Sequence, residues 1–276
     1  MKMKYSHDFL GEMFGTFILV FFGCGSVAVT VLFSAHVGLF QIAAVWGAGV
    51  TLAIYATRHL SCAHLNPAVS AAMVVGKRMS LKKLPVYILA QFSGAFLAVL
   101  VLYIIYSSSI AQYEILHGIV RGTPESVRTA MIFGEFYPNP SAGPAASVSM
   151  INAFLAEFIG AFVLVSLIFA LTEGCNVGRP DGSLSPFFIG LTVTVLISII
   201  APLTQAGLNP ARDLAPRVFA YLAGWKNAAL PDNRYGFLIV YVLGPLAGGI
   251  LASIVFTYVI EPIMKNKSDE TNCKCS

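Results

Sequence analysis

Asn66-Pro67-Ala68 and Asn209-Pro210-Ala211 repeat one tripeptide 143 positions apart (209 − 66 = 143) in a chain of 276 residues. Both copies lie in apolar surroundings, where irregular backbone is tolerated only if it is covered by protein or lines something wet. Asparagine is a favoured helix N-cap and proline is favoured at the first helical position, so each tripeptide predicts a helix start. If each asparagine oxygen caps its own helix, the side-chain NH₂ is left as a fixed donor. A passing hydroxyl or water oxygen can accept from both. Each helix N-terminus also carries roughly +0.5 elementary charge. Two such ends aimed at one point oppose a cation or a migrating proton and tolerate a neutral molecule.

Further residues join this chemistry. Cys62, Ala63, His64 and Leu65 precede the first asparagine, and Gln205, Ala206, Gly207 and Leu208 precede the second. If these run non-helically, their carbonyls form a ladder of acceptors on one wall. Glu12 and Glu157 fall mid-way in apolar runs, where an ionisable side chain costs several kcal/mol unless partnered. They can serve as proton relays or accept hydrogen bonds from loop N–H groups, and the second role is expected. Arg212 sits in the first turn after the second tripeptide, where the dipole disfavours a cation; breaches of this kind cluster at functional sites. Asp213 follows and is expected to orient the loop. Trp46 lies inside an apolar run, where packing and a role at the wall are both open. Gly11/Gly15, Ala156/Gly160 and Gly244/Gly248 have the small-xxx-small spacing that lets helices approach closely.

Hydrophobic residues make up 57% of the chain and charged ones 11%, against about 25% charged in a soluble domain. This is the composition of a polytopic membrane protein in one bundle. The net charge of +4 reads as topology bias rather than nucleic-acid binding. The five cysteines, Cys24, Cys62, Cys175, Cys273 and Cys275, are odd in number, which argues against a disulfide framework. Cys273 and Cys275 fall short of the four ligands of a structural zinc site, so no metal is expected. No phosphate loop or nucleophile constellation points to an enzyme; His64 with Cys62 is the nearest approach to one, and His64 reads as a pore-lining hydrogen-bonding residue.

Six segments are long enough to span the roughly 20-residue hydrocarbon core: Phe9–Phe33, Phe40–His59, Leu84–Tyr106, Met150–Leu171, Pro186–Leu203 and Tyr235–Ile260. The first follows Lys2 and Lys4, is too long for a signal peptide, and is expected to stay in the membrane. Pro67–Val75 and Pro210–Leu222 are too short to cross. Lys77, Arg78, Lys82 and Lys83, with Lys2, Lys4, Lys265, Lys267 and Lys274 near the termini, place both termini in the cytoplasm by the positive-inside rule. The connection Ser107–Ser149 then lies outside and reads as a surface loop. Leu10–Val20 matches Leu155–Val165 with Glu12 aligned on Glu157 (157 − 12 = 145). The chain is thus read as one channel domain of two halves, residues 1–106 and 150–262, with a cytoplasmic tail from 263. Three spans per half make the halves insert with opposite topology, and inverted repeats build a site at the midplane.

The paired Asn-Pro-Ala boxes, the Glu-bearing repeat and the inverted halves resemble the aquaporin or major intrinsic protein family over nearly the whole chain. Asp213, Arg217 and Trp46 make it most similar to the bacterial glycerol facilitators. The half-helix dipole argument is the one already made for aquaporin-type pores. The resemblance implies an all-α membrane fold of six transmembrane helices and two re-entrant half-helices. It implies a homotetramer with one pore per subunit, no cofactor, and a passive channel for glycerol, other small neutral solutes and water. It maps the narrowest filter onto Trp46, Ile197, Ala206 and Arg212. Facilitators carry glycine where this chain has Ile197, phenylalanine where it has Ala206, and usually proline where it has Tyr241. The combination is similar to some plant nodulin-like channels. A water-selective channel, a channel for urea, ammonia or metalloid hydroxides, and a proton-coupled transporter remain the alternatives.

Overall fold

The computed structural model describes residues 5–143, 147–231 and 235–271, with side chains up to residue 266. Lys2, Lys4, Lys274, Cys273, Cys275 and the side chain of Lys267 lie outside the described residues. In chain order the helices are α1 (Ser6–Phe33), α2 (Leu39–Thr57), α3 (Pro67–Val75), α4 (Leu84–Leu116), a single turn α5 (Val127–Ala130), α6 (Met150–Thr172), α7 (Ser185–Thr204) and α8 (Pro210–Ala220). A last span, Leu238–Asn266, contains α9 (Gly244–Val255) between wider turns and leads into α10 (Glu261–Thr271). Among the described residues, six helices are long and apolar enough to cross a membrane. Helix is what such sequences must form there, since hydrocarbon offers no partner to an open backbone group. The half-helices α3 and α8, of 9 and 11 residues, reach only about 14–17 Å at 1.5 Å per residue.

The two halves pack alike. Helix α1 lies against α2 and α4, as α6 lies against α7 and α9, and α2 against α7 joins the halves. Each half-helix docks on the third span of the other half, α3 on α9 and α8 on α4. The third spans cross the first at matching glycines. A Cβ at Gly94 would collide with the Met13 carbonyl oxygen, and one at Gly248 with that of Phe158. Gly15 and Gly160 instead make room for side chains, chiefly Leu65 and Leu208 of the segments that precede the two asparagines.

One expectation is corrected. The connection after the third span is not a surface loop. Its first ten residues extend α4, whose 33 residues measure about 50 Å, well past a hydrocarbon core of about 30 Å. The chain then turns back, and Met131, Ile132, Phe133 and Phe136 are buried in the main core beside Phe219 and Trp225. The reason is composition, because apolar side chains at that density leave water wherever a surface is offered.

The crossing glycines give a direct test. Replacing Gly248 by valine should destabilise the protein by about 1–3 kcal/mol or more, because overpacking here meets rigid backbone. Gly25→Ala, whose added carbon would meet only Leu102 Cδ2 at 3.5 Å, should leave the melting temperature in detergent unchanged.

Candidate functional site

The non-helical segments ahead of α3 and α8 are built by one rule applied twice. Cys62, Ala63 and Leu65 have φ of 79°, 52° and 55°, and their counterparts Gln205, Ala206 and Leu208 have 59°, 58° and 53°. Each non-glycine residue in this region costs about 1–2 kcal/mol, so something must hold it. Glu12 does so in the first half, accepting from the N–H groups of His64 (2.9 Å) and Leu65 (2.7 Å), the Ser61 hydroxyl (2.8 Å) and Gln91 Nε2 (2.7 Å). Glu157 does so in the second, accepting from Gly207 N–H (2.9 Å), Leu208 N–H (2.6 Å) and the Thr204 hydroxyl (2.6 Å). Ser61 and Thr204 accept in turn from the N–H groups of Ala63 (3.1 Å) and Ala206 (3.2 Å). Both carboxylates are fully buried. The loop N–H groups that supply their hydrogen bonds are the same ones that the left-handed turns would otherwise strand.

Asn66 and Asn209 cap the half-helices that follow them. The Asn66 oxygen accepts from Ala68 N–H (2.8 Å), and the Asn209 oxygen from Ala211 N–H (3.1 Å) and Arg212 N–H (3.3 Å). Pro67 and Pro210 occupy the first helical position behind them. The amide nitrogens are not left wholly open. Asn66 Nδ2 donates to the Leu208 carbonyl (2.9 Å) and Asn209 Nδ2 to the Leu65 carbonyl (2.8 Å), which stitches the half-loops together. Each NH₂ carries two hydrogens, so one donor per asparagine remains for a permeant.

A cavity of about 470 Å³ runs along both half-loops. Cys62, Ala63, His64, Leu65 and Asn66 line it from one half, and Ala206, Gly207, Leu208, Asn209 and Arg212 from the other. Gln205, whose carbonyl was expected in this row, is not among the residues that line the cavity. Its side chain turns away to accept from Phe136 N–H at 2.9 Å. Glu12 and Glu157 take up the N–H groups of His64, Leu65, Gly207 and Leu208, so the carbonyls are the polar backbone groups these segments have left to offer a permeant. The opposite wall is apolar, formed by Val50, Ile54, Leu164, Ile168, Ile189 and Val193. Arg58, Arg78 and Arg179 stand at the mouth beyond Cys62, where Arg78 is tied to Glu173 at 3.0 Å and Glu261 at 2.8 Å.

Trp46, Ile197, Ala206 and Arg212 all line the cavity, and all are buried. The Arg212 guanidinium carbon lies 4.1 Å from the centre of the Trp46 ring, close enough for a cation–π contact. Its Nη1 forms an ion pair with Glu135. That pair accounts for a cation in a first helical turn, because Glu135 supplies the opposite charge that the dipole cannot. Asp213 holds Glu135 in place by accepting from its N–H at 2.9 Å. It is itself clamped by Arg217, with Nε at 3.0 Å and Nη2 at 2.5 Å.

A family model described as major intrinsic protein matches residues 1–256. The chain belongs to the major intrinsic protein family. Among curated relatives, a glycerol uptake facilitator from Haemophilus influenzae is 42% identical over 252 residues, covering 91% of this chain and 92% of that one. A glycerol uptake facilitator from Escherichia coli is 39% identical over 91% of this chain and 87% of its own length. A propanediol uptake facilitator from Salmonella typhimurium is 38% identical over 90% and 92%. The solved aquaglyceroporin from Plasmodium falciparum superposes with a TM-score of 0.81 at 26% identity, covering 95% of this chain and all of that one.

Within this family fold, Glu135 is the functional candidate that the sequence reading passed over. Its signal was present. Met131-Ile132-Phe133-Gly134-Glu135-Phe136-Tyr137 is an apolar run with one acid, and an acid amid buried apolar residues is expected to have a partner. Glu135→Gln should leave Arg212 buried without its counter-charge and destabilise the protein by about 3–5 kcal/mol. Glu125→Gln, on the exposed rim of the same connection, should cost less than about 0.5 kcal/mol. Thermal unfolding of both variants in detergent checks the difference.

Proposed function

We propose that this protein is a passive, bidirectional channel for glycerol and similar small uncharged solutes, with water as a second permeant. The observation that carries it is the two-faced cavity, lined by the two non-helical segments with their asparagine donors and by apolar side chains of the spans. A polyol presents hydroxyls on one side and C–H groups on the other, so it replaces its hydration shell there without stranding a polar group. An ion has no apolar face and would meet the Arg212 charge and two helix N-termini. The glycerol facilitators among the relatives support the same substrate. The protein is a channel rather than an enzyme, as its family membership indicates.

Ile197 and Ala206 favour a wider solute list than glycerol alone. Ile197 adds apolar surface beside Trp46, which suits a diol as well as a triol, and one relative is a propanediol facilitator. The basic residues around the Arg78 mouth support a cytoplasmic position for that end and for both termini of a cell-membrane protein. Exposed apolar side chains along the spans, among them Leu10, Phe14, Ile104, Ile105 and Ile199, face lipid or a neighbouring subunit, and a homotetramer is the assembly proposed.

Labelled glycerol should equilibrate across proteoliposomes to the same final level with and without a proton gradient. Accumulation above the external concentration would convert the assignment to a coupled transporter. Arg212→Val should raise proton and ion leak, because the fixed charge is removed; an unchanged leak would take Arg212 out of the barrier. Replacing Asn66 and Asn209 together should lower solute flux at equal reconstituted protein.

A further inference from the structure

The repeat extends to a pair of tyrosines whose roles differ. Tyr87 on α4 and Tyr241 on the last span are 154 positions apart (241 − 87 = 154), the same offset as the crossing glycines Gly94 and Gly248. Both are fully buried and neither lines the cavity. The Tyr87 hydroxyl donates to the Ser61 carbonyl, and the Tyr241 hydroxyl to the Thr204 carbonyl at 3.1 Å. Ser61 and Thr204 are the matching residues that immediately precede the two non-helical segments. Each tyrosine therefore ties down the carbonyl immediately ahead of its segment, while the side chain of that residue serves the buried glutamate.

The surroundings break the symmetry. Tyr87 Oη also lies 3.1 Å from Asp8 Oδ1, and its ring faces the His64 ring at 4.9 Å. Tyr241 lies directly behind filter backbone. A Cβ on Gly207 would come within 2.8 Å of Tyr241 Cδ1, so glycine at this position lets the ring press on the strand that carries Ala206. The ring is held from its other sides by Tyr137, with centroids 6.1 Å apart, and by the Arg217 guanidinium at 5.5 Å. Arg217 is the group that fixes Asp213 and, with it, Glu135.

We infer that Tyr241 is a positioning residue for solute size. Its hydroxyl and ring fix how far the Ala206–Gly207 wall stands from Trp46 and Arg212, whereas Tyr87 supports its own half-loop without setting a size limit. This rests on the filter assignment made above. Ala206 is small, so the width beside it is set by backbone position, and backbone position is set by what stands behind. Without the hydroxyl the wall samples positions nearer and farther, and a larger solute selects the farther ones.

The test measures a four-carbon polyol, erythritol, and glycerol in the same proteoliposomes, so that the amount of folded channel cancels in the permeability ratio. Tyr241→Phe keeps the ring and should raise the erythritol-to-glycerol ratio about fivefold, the population change expected from one lost neutral hydrogen bond. Tyr87→Phe should leave the ratio unchanged. An unchanged ratio in Tyr241→Phe overturns the inference, as does an equal rise in Tyr87→Phe. Ala206→Phe should lower the ratio; if it does not, the filter assignment itself falls. A lowered ratio there with no change in Tyr241→Phe removes only the role given to Tyr241.

Discussion

Two buried carboxylates meet the backbone demands of two broken helices, and the rest of the channel depends on that exchange. An apolar bundle left to itself would close, because nothing in it requires a wet path. Breaking a helix on each side creates unpaired N–H and C=O groups, and the two kinds are handled differently. The N–H groups are drawn away from the cavity by Glu12 and Glu157, which leaves a face of carbonyls. A carboxylate is acceptor-only when ionised, so it can remove donors without competing for the remaining acceptors. An amide in the same place would turn one donor against another.

Charge at the narrow part follows a similar division. Arg212 brings a permanent cation to a place already made positive by two helix ends. Such a cation is stable when buried only with a partner, and Glu135 reaches it from a connection that runs back into the molecule. The pair leaves Arg212 local neutrality and still presents its guanidinium to the cavity beside Trp46. Asp213, Arg217 and the Ala229 carbonyl form the frame behind it. Arg212 is therefore backed by the connection around Glu135 together with Asp213, Arg217 and Ala229.

Much of this was legible in the residues, and the limits have physical causes. The six spans, both half-helices and the bracing glutamates follow from hydrophobic length, Asn-Pro capping and the cost of charge in an apolar run, all of which are local. The connection after the third span departs from a surface loop because Gly, Pro and mixed charge suggest solvent, while the apolar stretch 131–137 needed the Phe219 and Trp225 surface before its burial could be known. Glu135 was missed for the same reason, since its partner Arg212 is 77 positions on (212 − 135 = 77). The asparagine donors crossing to the opposite half-loop, and the turning of Gln205 away from the wall, depend on how closely the halves approach. No single-segment pattern carries that distance. The filter set of Trp46, Ile197, Ala206 and Arg212 came from family resemblance, and these four side chains line one cavity.

The central claim is that the two-faced cavity accepts a polyol despite Ile197 in its wall. Stopped-flow light scattering on proteoliposomes, comparing glycerol entry and osmotic water flux with those of empty vesicles, tests it most directly. The account predicts glycerol entry well above the empty-vesicle rate. Fast water flux with glycerol at background would contradict it, and would mean that Ile197 closes the filter to polyols.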